Sequence, residues 1–441
     1  MNVTKQIVEV LQKDISQSSQ YKESLNVSKN AFLDYIASYS AGLQSPKNQE
    51  IVKGLASSEG TKQILLTSYR TSRVQLALIL GYLAHYEDLD DVQANFRGHP
   101  SAVIFSALLS VSDKNDSFKR MLESYIQGVE FAGRLGQQFQ PHHVNQGWHS
   151  TATIGCIAAA VAIGYYKKAS INDFTCLLSL TTSQATGFLY QEGTDGKPLN
   201  AGFAARNAVQ AYELVKVGMT AYDDIFSYYK GWAQIINQQR LDVDRLLENW
   251  LEPSQILSPG LWFKQYPFCS AANGGFDLAQ KAYKLGLRTA NISKVDVHFT
   301  STGDKALIYR YPNIKLEGKF SIEYILWLTL EKGSIDLTDF TEEETSDDFL
   351  NFARKVVRHH DLESDNTTRP VRLVIREAEK IKFDQLEQHP KGSPNNPLSP
   401  KELYLKFKRL TEGHLDEFYR YVMTDEITNT SEIFERLSKN Y

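Results

Sequence analysis

Four short stretches of this chain carry the residue types that proton-transfer chemistry needs. The first runs His85-Tyr-Glu-Asp88-Leu-Asp90-Asp91, followed by Arg97-Gly-His99-Pro-Ser101. Carboxylates this close repel unless they cap backbone donors, face solvent or meet cations, and Arg97 and His99 follow within one loop to neutralise them. Pro100 is placed to open a helix. Asp88, Asp90, Asp91 and His99 could also hold a divalent ion, although nothing fixes a ligand spacing. The second stretch, GWHSTATIGCIAAA at 147–160, sets His149 between Trp148 and a run of small residues. Histidine changes protonation near neutral pH, Trp148 can shield it from water, and Ser150, Thr151 and Thr153 can hold its second nitrogen or a ligand carboxylate.

The third stretch is Asp195-Gly-Lys197-Pro-Leu-Asn200-Ala-Gly202. A lysine between a turn and a small-residue helix start can bind an anion together with backbone amides. The fourth is Lys264-Gln-Tyr-Pro267-Phe-Cys269-Ser-Ala-Ala-Asn273, in which Cys269 reads as either an inert buried thiol or a pocket residue. Taken singly, each stretch also fits ordinary packing or an exposed turn. The tandem pairs His142-His143 and His359-His360 read as surface residues. No Ser nucleophile elbow, phosphate-binding P-loop or Rossmann glycine fingerprint stands in the right context.

The elements that must position these residues are mostly helical. Residues 5–250 read as helix almost throughout: an amphipathic start at Ile7, a helix capped by Ser28, a buried helix over 73–85, and further helix over 201–218 and 221–231. After Pro253 the pattern changes. Residues 293–300 and 369–375 alternate as strands, with a buried helix over 321–332 between them, stopped by Gly333. Residues 389–400 are too broken for either element, and Ser399 with Glu402 forms a capping-box pattern for helix that runs on to the C-terminus.

The chain has 441 residues and a formal charge of −4, which argues against a general nucleic-acid or anionic-membrane binder. Its three widely spaced cysteines, Cys156, Cys176 and Cys269, make no disulfide framework or metal knuckle. The N-terminus lacks a signal-peptide pattern, and no apolar run approaches the roughly 20 residues that span a bilayer. A cytoplasmic protein without a membrane partner is expected.

Together these stretches resemble the MmgE/PrpD family, which includes 2-methylcitrate dehydratases, cis-aconitate decarboxylases and iminodisuccinate epimerases. The resemblance runs from AFLDYIASYSAG at 31–42 through LAHYEDLDD, GHPSAVIFSALL, GWHSTATIGCIAAA and GKPLNAGFAARNAVQAYELVKVGMTA. It continues to KQYPFCSAANGGFD, KFSIEYILWL and HPKGSPNNPLSPKELYLKF. It implies a mainly α protein: a large all-helical domain over 1–260, a smaller α/β lid domain inserted at 261–397, and C-terminal helices at 398–441 that return to the first domain. It also implies a homodimer and an active site between the domains that needs no organic cofactor. Carried over by motif, the site residues are Asp88, His99, His149, Lys197, Lys264 and Cys269. Val92 stands where the family usually has threonine, Leu80 where it often has asparagine, and Asn273 where a histidine commonly follows the cysteine motif.

The chemistry this implies is proton movement on the carbon beside a carboxylate, in a substrate carrying two or three carboxylates. His99 and His149 are expected to share the transfers, with Asp88 orienting one of them, while Lys197, Lys264 and Arg97 hold the developing negative charge. A 2-methylcitrate dehydratase-like hydro-lyase is the leading expectation. Decarboxylation or epimerisation of a related acid, a metal-dependent hydro-lyase, and a carboxylate-binding member without activity are the alternatives.

Overall fold

The computed structural model describes residues 2–227, 229–363 and 368–438, over which the protein is mainly α with some β. Residue 228 of the expected helix over 221–231, and residues 439–441 of the expected C-terminal helix, lie outside the described residues. Six helices frame the site: α1 (Tyr21–Gln44), α2 (Arg73–Tyr86), α3 (Pro100–Val111), α4 (Phe118–Phe139), α5 (Ser150–Tyr166) and α6 (Gly196–Lys216). Local signals set their starts. Ser72 accepts the Gln75 amide to cap α2, and Pro100 occupies the first turn of α3, where no N–H is needed. All of α5 is buried, so it is built from small and apolar residues on every side.

Small residues also let helices cross closely. A Cβ on Gly81 of α2 would lie 2.8 Å from the Cα of Gly202 in α6, and one on Gly202 would lie 2.5 Å from the Leu78 carbonyl oxygen. The α2–α6 crossing therefore holds the two segments that carry Asp88 and Lys197 at a fixed, short separation.

The apolar residues form two cores. One gathers side chains from Ile7 to Phe263 and from Leu398 to Leu437, and the other gathers Phe268 to Phe383. The second core is built on a four-stranded sheet of β1 (Lys294–Thr300), β2 (Val356–Leu362), β3 (Val371–Glu377) and β4 (Lys380–Glu387), in the order β2-β1-β3-β4. β1 pairs parallel with β2 and antiparallel with β3, and β3 pairs antiparallel with β4. Helices α7 (Asn273–Lys284) and α8 (Ile322–Lys332) complete that core, with Gly333 ending α8 in the left-handed conformation.

After the sheet, α9 (Pro400–Leu410) opens on the expected Ser399–Glu402 capping box and returns to the first core. Its Lys406 forms a buried ion pair with Asp34 of α1 and donates to the Leu89 carbonyl at 2.8 Å. This returning helix thus braces the acidic loop directly. A two-residue antiparallel ladder, Val92–Gln93 with Leu261–Trp262, ties the same loop to the segment carrying Lys264.

Several local expectations are corrected. Ser28 lies inside α1, where its hydroxyl donates to the Leu25 carbonyl instead of capping a helix. The described part of 221–231 is turn and bend, with a short helix only at Trp232–Asn237. Arg369 precedes its strand, which starts at Val371, and strands β2 and β4 were not anticipated. Among the described residues no helix is long and apolar enough to cross a membrane.

Because backbone atoms line the α2–α6 crossing, they cannot swing aside for a methyl group. Gly202→Ala should destabilise the protein by about 1–3 kcal/mol in urea unfolding. A change below ~0.5 kcal/mol would show that the crossing is not tight.

Candidate active site

The residues singled out from the sequence converge. Asp88, Arg97, His99, His149, Lys197, Lys264 and Cys269 all line one cavity of about 770 Å³. Both cores contribute: Phe320, Ser270, Arg369 and the loop around Thr302 face it from the second.

Asp88 follows α2 in the left-handed conformation, at φ 54°, which aspartate tolerates better than most residues. Its buried carboxylate meets Lys197 Nζ at 2.8 Å through one oxygen and Lys264 Nζ at 3.0 Å through the other. Burial works against this carboxylate's charge, but the two ammonium groups outweigh it and hold Asp88 well below the usual carboxylate range. The lysines respond differently. Burial disfavours the charge on Lys197, but Asp88 more than compensates and its pKa is raised. Burial dominates at Lys264, with Asp88 opposing it and Lys197 adding repulsion, so its pKa is lowered. Lys264 Nζ is also fully enclosed without a hydrogen-bond partner at donor geometry.

The histidines sit at two helix starts. His99 immediately precedes α3 and His149 immediately precedes α5. The His99 N–H donates to Thr151 Oγ1 at 3.2 Å, which locks the two starts together. His99 Nδ1 lies 3.2 Å from Asp90 and its Nε2 lies 3.7 Å from Asp88. Asp90, not Asp88, is therefore the closer orienting carboxylate. His85 Nδ1 approaches the two Asp90 oxygens at 2.9 and 3.1 Å. Burial depresses the His85 pKa to about 4, leaving a neutral ring that donates to Asp90. Burial opposes the Asp90 charge, but His85 and His99 outweigh it and lower its pKa.

His149 is held from the other side. Its Nδ1 lies 3.1 Å from Asn200 Nδ2, and the same amide nitrogen donates to the Phe188 carbonyl at 3.2 Å. That second bond fixes the amide orientation, so Asn200 donates to Nδ1 and the proton of the neutral ring sits on Nε2. Burial, with the Lys197 ammonium adding positive charge nearby, keeps His149 well below the ordinary histidine range. Cys269 is buried, and burial together with Asp88 pushes its thiol up, so it lines the cavity as a protonated group.

Other expectations change. Arg97 does not neutralise the acidic loop, because the lysines and histidines do. Asp91 turns away to accept the Ser101 amide and hydroxyl at 3.2 and 2.7 Å and the Tyr125 hydroxyl at 3.1 Å. Burial and nearby Asp34 push its carboxyl up to about 7. Among the described residues the groups close enough to share an ion are His85, Asp88, Asp90 and His99, not the set with Asp91. A divalent cation there would sit beside two ammonium groups already paired with Asp88, so the residues fit a metal poorly. The second nitrogen of His149 meets Asn200, not Ser150, Thr151 or Thr153. His143 is fully buried between Asn237 at 2.6 Å and Thr153 at 2.7 Å, contrary to its expected place on the surface.

Residues 10–243 match the MmgE/PrpD N-terminal domain, and residues 266–421 match the MmgE/PrpD C-terminal domain. The chain belongs to the MmgE/PrpD family. It is similar to the cis-aconitate decarboxylase of Aspergillus terreus (strain NIH 2624 / FGSC A1156), 23% identical over 94% of this chain and 91% of that protein. The cis-aconitate decarboxylases of Mus musculus and Homo sapiens are each 21% identical, over 63% and 60% of this chain and 59% and 57% of those proteins.

In this MmgE/PrpD member the family departures fall unevenly. Val92 lines the cavity, whereas Asn273, at the start of α7, is not among the lining residues. His85, Asn200 and Arg369 complete the site without having been assigned to it from sequence, and Asp90, read there as a candidate metal ligand, stands beside His99 instead. Asn200 carried a usable signal, lying three positions after Lys197 on the same helix.

Removing the Asp88 charge would leave two buried ammonium groups facing each other. Asp88→Asn should cost about 3 kcal/mol of stability at pH 7 in urea unfolding. Unpaired buried lysines have folded pKa values below their unfolded ones, so stability is lost at lower pH and regained as pH rises. The deficit should therefore shrink toward pH 10, and one that is constant with pH would contradict the assignment.

Proposed function

We propose that this protein is a lyase acting on a small polycarboxylate, by proton transfer at the carbon beside a carboxylate. The observation that carries this reading is a pair of imidazoles facing one cationic cavity, one beside a carboxylate and the other held by an amide donor. His99, with Nδ1 directed toward Asp90, presents Nε2 as a base. Neutral His149 presents an Nε2–H as a donor toward negative charge forming on the substrate. Lys197 shares that charge.

The hydro-lyase reaction needs all of these groups. His99 takes the proton from carbon, the C–H electron pair becomes the new double bond, and the C–O bond breaks. The departing hydroxide takes a proton from Lys264, whose lowered pKa and unmet N–H groups suit a general acid. Val92, Ala94 and Ala271 add apolar wall to the cavity, which suits an acid with an alkyl branch such as 2-methylcitrate. The second core, reaching over the cavity through Phe320 and Arg369, serves as the lid in this reading, in a homodimeric enzyme. The cis-aconitate decarboxylase relatives favour a second reading. There the C–C bond to a carboxylate breaks, carbon dioxide leaves, and the retained electron pair is protonated by the same donors.

Incubation with a panel of di- and tricarboxylates, followed by mass spectrometry, distinguishes the two by loss of water or of carbon dioxide. Turnover of none, with no deuterium exchange at carbon in heavy water, would contradict both. His99→Ala and His149→Ala should each lower turnover at least ~100-fold while the melting temperature is retained. Near-normal turnover in a folded His149→Ala protein would remove His149 from the mechanism.

A further inference from the structure

Two cations on the cavity wall have no part in the chemistry above. Arg97 follows the acidic loop at φ 53°, a left-handed conformation uncommon for arginine, and faces the cavity. Arg369 comes from the other core, just before β3. Its Nη1 donates to Ser270 Oγ at 3.1 Å, and its guanidinium lies 5.8 Å from the centre of the Trp262 ring. Both are half-buried.

Among the described residues neither guanidinium has a carboxylate partner. The charged neighbour of Arg97 is Arg369, which together with burial lowers its pKa to about 10. Burial also lowers that of Arg369, whose titratable neighbour is Cys269. Two guanidinium groups brought together without an acid are an electrostatic cost to the unliganded protein. A bound anion removes that cost, and a planar guanidinium fork matches a carboxylate geometrically.

The charges on the wall give the same answer. Among the described residues, Arg97, Arg369, Lys197 and Lys264 are opposed there by Asp88. Glu192 also lines the cavity, but burial raises its pKa to about 8, so at neutral pH it is mostly uncharged. Exposed Lys305 and Glu363 at the rim offset each other. Four cations against one carboxylate leave three positive charges.

We infer that Arg97 and Arg369 form a second carboxylate subsite, separate from the Lys197–Asp88–Lys264 cluster, that selects substrates carrying a third carboxylate away from the reacting carbon. The inference rests on the polycarboxylate reading of the cavity. One arginine comes from each core, so a ligand bridging them would also hold the two faces of the cavity together. Neither arginine moves a proton. Their contribution is to affinity and to choice of substrate.

Calorimetric titration of the full chain with propane-1,2,3-tricarboxylate tests this, alongside melting temperatures of the unliganded proteins. R97Q and R369Q should each weaken binding at least tenfold. Their unliganded melting temperatures should stay level or rise, because each removes one of two repelling, poorly solvated cations. R369Q that binds within twofold of the parent would overturn the subsite and leave the functional reading intact. Loss of affinity together with a melting temperature lowered by more than ~5 °C, equivalent to over 1 kcal/mol, would show a structural role and also overturn it. A parent protein that binds no tricarboxylate would sink the functional reading and the subsite with it.

Discussion

A single buried carboxylate, Asp88, ion-paired through its two oxygens with two lysines, is the interaction on which the site depends. The three charges come from distant parts of the chain: the loop after α2, the first turn of α6, and the segment after the Leu261–Trp262 ladder. Burying them costs solvation that is recovered only if the geometry is held closely. The surrounding structure meets that need. The glycine crossing fixes α6 against α2, the ladder fixes Lys264 against the loop, and Lys406 braces the loop from the returning helix α9. Much of the fold's irregular architecture, including the left-handed Asp88, serves this one cluster.

The cluster also sets the state of the groups around it. The positive charge of Lys197, with burial, keeps His149 neutral, and Asn200 then selects which nitrogen carries its proton. Asp90 is bracketed by two imidazoles, His85 and His99, and directs His99 instead. Two carboxylates two residues apart thus do different work: one anchors cations and the other orients a base. Asp91, beside them, is taken up in packing α3 against α4 through Ser101 and Tyr125.

Much of this was legible in the sequence where the signal is local. Pro100 after His99, the small residues after His149, the Ser399–Glu402 box and Gly333 each reflect constraints within a turn or two of chain. The family's motifs led to six of the residues that line the cavity: Asp88, His99, His149, Lys197, Lys264 and Cys269. What could not be read depended on contacts between distant segments. Arg369 sits beside a strand with no motif around it, and its role exists only because Arg97 faces it from the other core. His143 looked like a surface histidine because its partners, Asn237 and Thr153, lie in other elements. β2 and β4 are rich in charged and exposed residues, so they lack the apolar alternation that reveals β1 and β3. Asp88 was expected to orient a histidine; from sequence alone nothing separated its partners from those of Asp90.

The claim that ties the electrostatics to the chemistry is that His149 is neutral and carries its proton on Nε2. Nitrogen-15 NMR of the imidazole rings, followed from pH 8 to pH 5 in the folded protein, measures this directly. The account predicts a protonated Nε2 and an unprotonated Nδ1 for His149 throughout that range. A proton on Nδ1, or titration of the ring to the doubly protonated form near pH 6.5, would contradict it.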